Sequence, residues 1–135
     1  MTGESTGTVA TPVMPSIAPW LAVSGATKAV AFYTAAFGAV ERYRREDDGG
    51  GVSVAQLAIG GAEFWVQEDA DSRPTPASRI AVRVILTVAD PDAVFAQALA
   101  AGATAVGAVA EEHGWRSGRL TDPFGHDWEI ARPLP

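Results

Sequence analysis

Residues 86–103 read LTVADPDAVFAQALAAGA, and residues 21–39 read LAVSGATKAVAFYTAAFGA. In the later stretch an apolar strand, Leu86-Thr87-Val88, runs into Asp90-Pro91. Asp90 is a good helix N-cap and Pro91 suits the first helical position. Val94, Phe95, Ala98 and Leu99 then recur at helical spacing, and Gly102 ends the helix. The earlier stretch repeats this order. Leu21-Ala22-Val23 is the strand, and Ser24-Gly25-Ala26-Thr27 is a turn that can start a helix. Val30, Tyr33 and Phe37 form the stripe over Lys28–Phe37, and Gly38 is the stop. Val23 and Val88 lie 65 residues apart, and Gly38 and Gly102 lie 64 apart. Each half goes on to supply three more strands. The unit is strand–helix–strand–strand–strand, written twice. A unit of about 60 residues or fewer is not expected to bury its sheet alone, so the two are expected to share one core. The expected fold is α+β: two βαβββ modules in tandem, with curved sheets around a cleft.

The rest of the chain fits this frame. Ala39–Arg45 reads as a strand and Asp47–Gly51 as a glycine loop. Val52–Ile59 alternates, and Gly60-Gly61 joins it to Ala62–Glu68 as a two-residue hairpin. In the first half the opening strand is expected over Ile17–Val23. In the second half, strands are expected over Arg79–Val88, Ala103–Glu111, Arg119–Thr121 and Asp127–Ala131, with Glu112–Gly118 as a loop. Asp122-Pro123-Phe124-Gly125 has the residue order of a type I turn. Residues 1–15 are rich in Thr and Gly, lack a basic start and an apolar stretch, and read as a flexible arm rather than a secretory signal. The single domain is expected over 16–135: module one at 16–68, a Pro-containing linker at 69–78 and module two at 79–135.

Composition excludes several classes of function. The 135 residues include no cysteine, so disulfides, thiolate nucleophiles and Cys-ligated metals are ruled out, and a reducing cytoplasm is the expected compartment. Ten basic and 16 acidic residues leave a net charge of −6, which disfavours nucleic acid as a partner. Hydrophobic residues make up 47%, enough for a core, yet no run approaches the roughly 18 apolar residues of a membrane span. Ser117 lacks the Gly-x-Ser-x-Gly setting of an activated serine, and Gly49-Gly50-Gly51 lacks the Lys-Ser/Thr of a phosphate loop.

Two histidines and four tryptophans are what remain. His126, in the turn, is expected to hydrogen-bond structurally. His113, near Glu111, Glu112 and Trp115, can act as a base or simply be solvated. Trp20, Trp65 and Trp115 could wall an apolar pocket for a planar ligand, or anchor the core. Trp128 should face the core.

The ordered set Val30-Ala31-Phe32-Tyr33, Phe37-Gly38-Ala39, Gln56-Leu57-Ala58-Ile59-Gly60, Asp90-Pro91-Asp92-Ala93-Val94-Phe95 and Asp122-Pro123-Phe124-Gly125-His126 resembles the vicinal oxygen chelate superfamily. Its members include glyoxalase I, extradiol dioxygenases, fosfomycin-modifying enzymes and bleomycin-resistance proteins. The resemblance covers about Ile17–Pro133 and implies the same paired βαβββ modules. It implies that a metal's ligands would fall at Ala18, Gln56, Arg83 (or Ile85) and Glu129. Only Glu129 is an ordinary ligand type, so no metal and no cofactor is expected. If Arg83 and Glu129 face one cleft they could pair, with Gln56 adding a hydrogen bond; alternatively Arg83 points to solvent beside Arg79.

The leading expectation is a metal-independent binder of an aromatic or amphipathic small molecule, a homodimer by family resemblance. Trp20, Gln56, Trp65, Arg83 and Trp115 are its candidate ligand-binding residues. The alternative is a lyase, isomerase or cyclase using Glu129 or His113 as acid/base, with or without a divalent metal. A module with no small ligand is the third possibility.

Overall fold

The computed structural model describes residues 12–74 and 81–135. Residues 1–11 of the expected arm and 75–78 of the expected linker lie outside them. The described chain forms ten elements: β1 (Trp20–Val23), α1 (Ala26–Phe37), β2 (Val40–Glu46), β3 (Val52–Ile59), β4 (Ala62–Glu68), β5 (Arg83–Thr87), α2 (Pro91–Ala101), β6 (Thr104–Glu112), β7 (Trp115–Thr121) and β8 (Asp127–Pro133). The strands make two four-stranded sheets with matching orders, β1-β4-β3-β2 and β5-β8-β7-β6. In each, the first strand pairs in parallel with the last, and the other pairs are antiparallel. The repeat in the sequence is therefore a repeat in topology. No described helix is long and apolar enough to cross a membrane.

The helix signals act as their residues dictate. Asp90 accepts a hydrogen bond from the Ala93 backbone at 3.1 Å, and Pro91 opens α2. Gly38 takes the left-handed conformation that a C-terminal stop requires (φ 69°). The start of α1 is different. Gly25 has no side chain to cap it, and the Glu68 carboxylate, at the end of β4, accepts from Gly25 and Ala26 instead. A negative group at a helix N-terminus also meets the favourable end of the helix dipole.

One core joins the modules. Leu21, Val23, Leu57, Phe64 and Val66 of the first sheet, and Leu86, Leu120, Trp128 and Ile130 of the second, are buried with the faces of α1 and α2. Trp128 is 1% exposed, as its parity next to Glu129 predicts, and its ring lies 4.7 Å from Phe37 and 5.6 Å from Tyr33 and Phe64. At the centre is Asp122. Its Oδ2 accepts from Tyr33 Oη (2.5 Å) and Trp128 Nε1 (2.9 Å), and its Oδ1 from the backbone of Phe124 and His126. His126 Nε2 donates to the Ala22 carbonyl at 2.8 Å, a structural bond between the modules.

Three expectations need correction. The first strand begins at Trp20, not Ile17, because Pro19 has no N–H to give a ladder and Ile17 is fully exposed. In the second module β5 begins at Arg83, with Arg79 and Ile80 outside the described residues. The expected loop Glu112–Gly118 is a tight hairpin. His113 (φ 52°) and Gly114 (φ 84°) both take positive φ, so two residues suffice to turn β6 into β7. Trp115 is therefore the first residue of a strand.

Candidate functional site

Alternation along each strand separates a helix-facing side from an open side. Leu21, Leu57, Phe64 and Val66 take the helix side of the first sheet, so Trp20, Gln56 and Trp65 take the open side. Register then aligns them: Trp20 pairs with Trp65, Trp65 with Gln56, and Gln56 with Tyr43. One uncharged row thus crosses all four strands. Trp20 and Trp65 stack with centroids 5.6 Å apart, and Tyr43 meets Trp65 edge-on at 6.1 Å. Trp20 Nε1 donates to Gln67 Oε1 at 2.8 Å, which fixes the indole. Trp20 and Tyr43 remain 52% and 47% exposed. Trp20 and Tyr43 are thus the exposed rings of the row, and Trp65 is stacked against Trp20. Tyr43 was not expected there. A bulge between Glu41 and Tyr43 shifts β2 by one residue and brings Tyr43, rather than Arg42, opposite Gln56.

The open side of the second sheet is ionic. Arg83 Nη1 donates to Glu129 Oε1 at 2.6 Å, so the two side chains pair directly on one face of the sheet. Arg83 Nε also lies 3.9 Å from Asp127, whose carboxylate accepts from Arg119 at 2.7 Å. Asp127 is buried, and its Oδ1 has no protein partner among the described residues.

Five of the seven expected site residues line two neighbouring clefts, and Gln56 and Trp65 line neither. Glu129, His113, Glu112, Ile85 and Trp115 line one of about 340 Å³. Trp20, Arg83 and Ile85 line a second of about 370 Å³ along the seam between β1 and β5. Ile85 belongs to both, so the two sheets' open faces are continuous. His113 sits at the rim, its side chain 88% exposed and its Nε2 3.9 Å from Glu112, beyond hydrogen-bond distance. Glu111 is engaged by Arg116 instead. Among the described residues no carboxylate orients the imidazole.

The superfamily's metal can be tested against these residues. A divalent ion needs several His or carboxylate donors to replace its water. Ala18 offers none, Gln56 offers a neutral amide, and Arg83 offers a cation already bonded to Glu129, the set's one carboxylate. Among the described residues no three His, Asp or Glu side chains gather in a metal-holding group. The residues do not fit the ion.

Residues 20–131 match the family described as the glyoxalase-like domain. The uncharacterized protein Rv0887c of Mycobacterium tuberculosis is 38% identical over 135 aligned positions, covering 94% of this chain and 79% of that protein. The crystal structure of TioX from Micromonospora sp. ML1 superposes with a TM-score of 0.70 at 26% identity, covering 90% of this chain and 98% of TioX. A glyoxalase/bleomycin resistance protein/dioxygenase family enzyme from Burkholderia phytofirmans has the same fold, with a TM-score of 0.69 at 21% identity over 85% of this chain and 95% of that one.

Proposed function

Because the chain belongs to the glyoxalase-like domain family of the vicinal oxygen chelate superfamily, we propose that it is a metal-independent binder of an aromatic or amphipathic small molecule. The observation that carries this is the uncharged row Trp20–Trp65–Gln56–Tyr43 on the open face. An indole and a phenol left half in solvent beside the partly buried Trp65 cost hydrophobic free energy that a planar ligand would recover. The Arg83–Glu129 pair supports the metal-free part of the reading, since a guanidinium already neutralises the only matching carboxylate. The homodimer belongs to the same reading, supported by exposed apolar side chains on strands (Trp20, Val40, Ile85); sedimentation velocity tests it.

The experiment is a thermal-shift screen of aromatic and amphipathic compounds, with metal analysis of the purified protein. Stabilising hits that weaken in Trp65→Leu, on a protein holding no stoichiometric metal, are expected. Stoichiometric zinc, nickel, manganese or iron would overturn the metal-free reading, and hits indifferent to Trp65→Leu would overturn the site. Glu129 lines a cleft, which keeps the lyase, isomerase or cyclase alternative in view. Turnover of a hit, abolished in Glu129→Gln while binding survives, would establish that alternative.

A further inference from the structure

The internal repeat puts one row of equivalent positions on both open faces, with different chemistry on each. From the outer edge to the seam the first sheet carries Tyr43, Gln56, Trp65 and Trp20. From the seam outward the second carries Ile85, Glu129, Arg119 and Gly107. Trp20 and Ile85 line the same seam cleft, so the rows join into one band. Half of the band is aromatic and uncharged. The other half holds Glu129 and Arg119 as direct register partners.

That ionic half is balanced. Arg83 and Arg119 face Glu129 and Asp127, two charges of each sign. Each partner also keeps capacity. Among the described residues Glu129 accepts one side-chain bond, through Oε1, and Arg119 donates one, through Nη2. A ligand carboxylate placed here would meet Glu129 as a like charge. An ammonium would meet Arg119 and Arg83. A neutral group with a donor and an acceptor side by side meets neither penalty: its N–H faces Glu129 and its carbonyl faces Arg119, and no net charge is buried.

We infer that the ligand is a planar aromatic compound carrying a carboxamide or lactam edge, its ring on Trp20 and Trp65 and its edge between Glu129 and Arg119. This rests on the small-molecule reading above. From Trp20 to Glu129 the band crosses the seam cleft between β1 and β5, which lie in different sheets, and then one strand spacing from Ile85 to Glu129.

Isothermal titration with biphenyl-4-carboxamide tests the assignment. The comparison compounds are biphenyl-4-carboxylate, 4-biphenylmethylamine and the saturated bicyclohexyl-4-carboxamide. The carboxamide should bind roughly tenfold or more tighter than each, the size of one lost charge-assisted hydrogen bond or one lost stacking contact. Trp65→Leu should erase its advantage over the saturated analogue. Glu129→Gln should narrow its advantage over the carboxylate, a change of preference that mere loosening of the fold would not produce. The inference is overturned if the carboxylate or the amine binds as tightly as the carboxamide. It is also overturned if neither variant alters the preferences, or if the carboxamide fails to bind up to millimolar concentration. In any of these cases the binder reading still stands if the thermal-shift screen yields another compound whose effect depends on Trp65. If it yields none, the binder reading falls as well.

Discussion

Replacing Asp122 by Asn changes one atom and should cost about as much as deleting a core side chain. The carboxylate is 3% exposed and accepts four hydrogen bonds, and every partner is a donor. An Asn side chain has the same shape but must turn an NH₂ toward one pair of donors. Facing the turn, it would meet the backbone N–H groups of Phe124 and His126, neither of which can accept. Facing the core, it meets Tyr33, whose hydroxyl can rotate and accept, and the indole of Trp128, which cannot. The second arrangement is cheaper. It weakens a charge-assisted bond by about 1 kcal/mol and strands a buried indole N–H at about 1–3 kcal/mol, a loss of about 3 kcal/mol in all. For a domain of this size that is roughly a 10 °C fall in Tm. Urea unfolding followed by circular dichroism should show a lower midpoint at an unchanged slope. Tyr33→Phe, which removes one donor and leaves three, should cost less than Asp122→Asn. A loss under about 1 kcal/mol for Asp122→Asn, or a larger loss for Tyr33→Phe, would refute the view that this carboxylate joins the modules.

Other consequences can be measured in the same way. Burial first, and then the Asp122 charge, hold the Tyr33 phenol far above its usual range. The folded state keeps that proton while the unfolded chain releases it above about pH 10, so stability is intact below that pH and falls as pH rises beyond it. Urea midpoints from pH 8 to 11 should fall more steeply for the parent than for Tyr33→Phe, and parallel curves would contradict this. At Gly118 an added Cβ would stand 2.8 Å from Val109 Cγ2 and 2.9 Å from the Phe95 ring. Gly118→Ala should therefore lose about 1–3 kcal/mol by overpacking, and a neutral result in thermal melts would show that the site can relax. His113 turns the β6–β7 hairpin at φ 52°. His113→Asn should leave Tm nearly unchanged, whereas His113→Val should cost about 1–2 kcal/mol because a β-branched residue resists that conformation. Equal melting of the two would contradict the turn assignment.

What could be read in advance divides along the range of the interactions. Helix ends and the Gly60-Gly61 hairpin are governed by neighbours a few residues apart, so Asp90, Gly38 and Gly102 announce them. Strand parity is equally local, which is why Trp128 could be sent to the core and Trp20 and Trp65 kept together. The Arg83–Glu129 pair was legible as one of two possibilities, because equivalent strand positions in two modules limit where a side chain can go. Tyr43 was not legible. Simple alternation would put Arg42 beside Gln56, and the bulge that replaces it leaves no mark in composition. The β6–β7 turn was missed because His113-Gly114 is a less familiar pair than Asn-Gly, although histidine too tolerates the left-handed region. Asp122 stood in a quoted motif, yet its main partner, Tyr33, is 89 residues away. Nothing local identifies that contact.

The two modules differ in a way that separates folding from function. At equivalent positions facing the helices the pairs are Leu21 and Leu86, Val66 and Ile130, Leu57 and Leu120, and Phe64 and Trp128, apolar in every case and all buried. At equivalent positions on the open face the pairs are Trp20 and Ile85, Trp65 and Glu129, and Gln56 and Arg119. One side of each sheet answers to the shared core, where a polar group without a partner would cost several kcal/mol. The other side is free of that demand. A repeat used only to build a core would tolerate any solvated residue there. A chance solvated surface would rarely gather three aromatic rings in one row and a balanced set of four charges beside it. On the proposed function, the asymmetry would hold a ligand in one orientation, since two identical walls could not tell its ends apart.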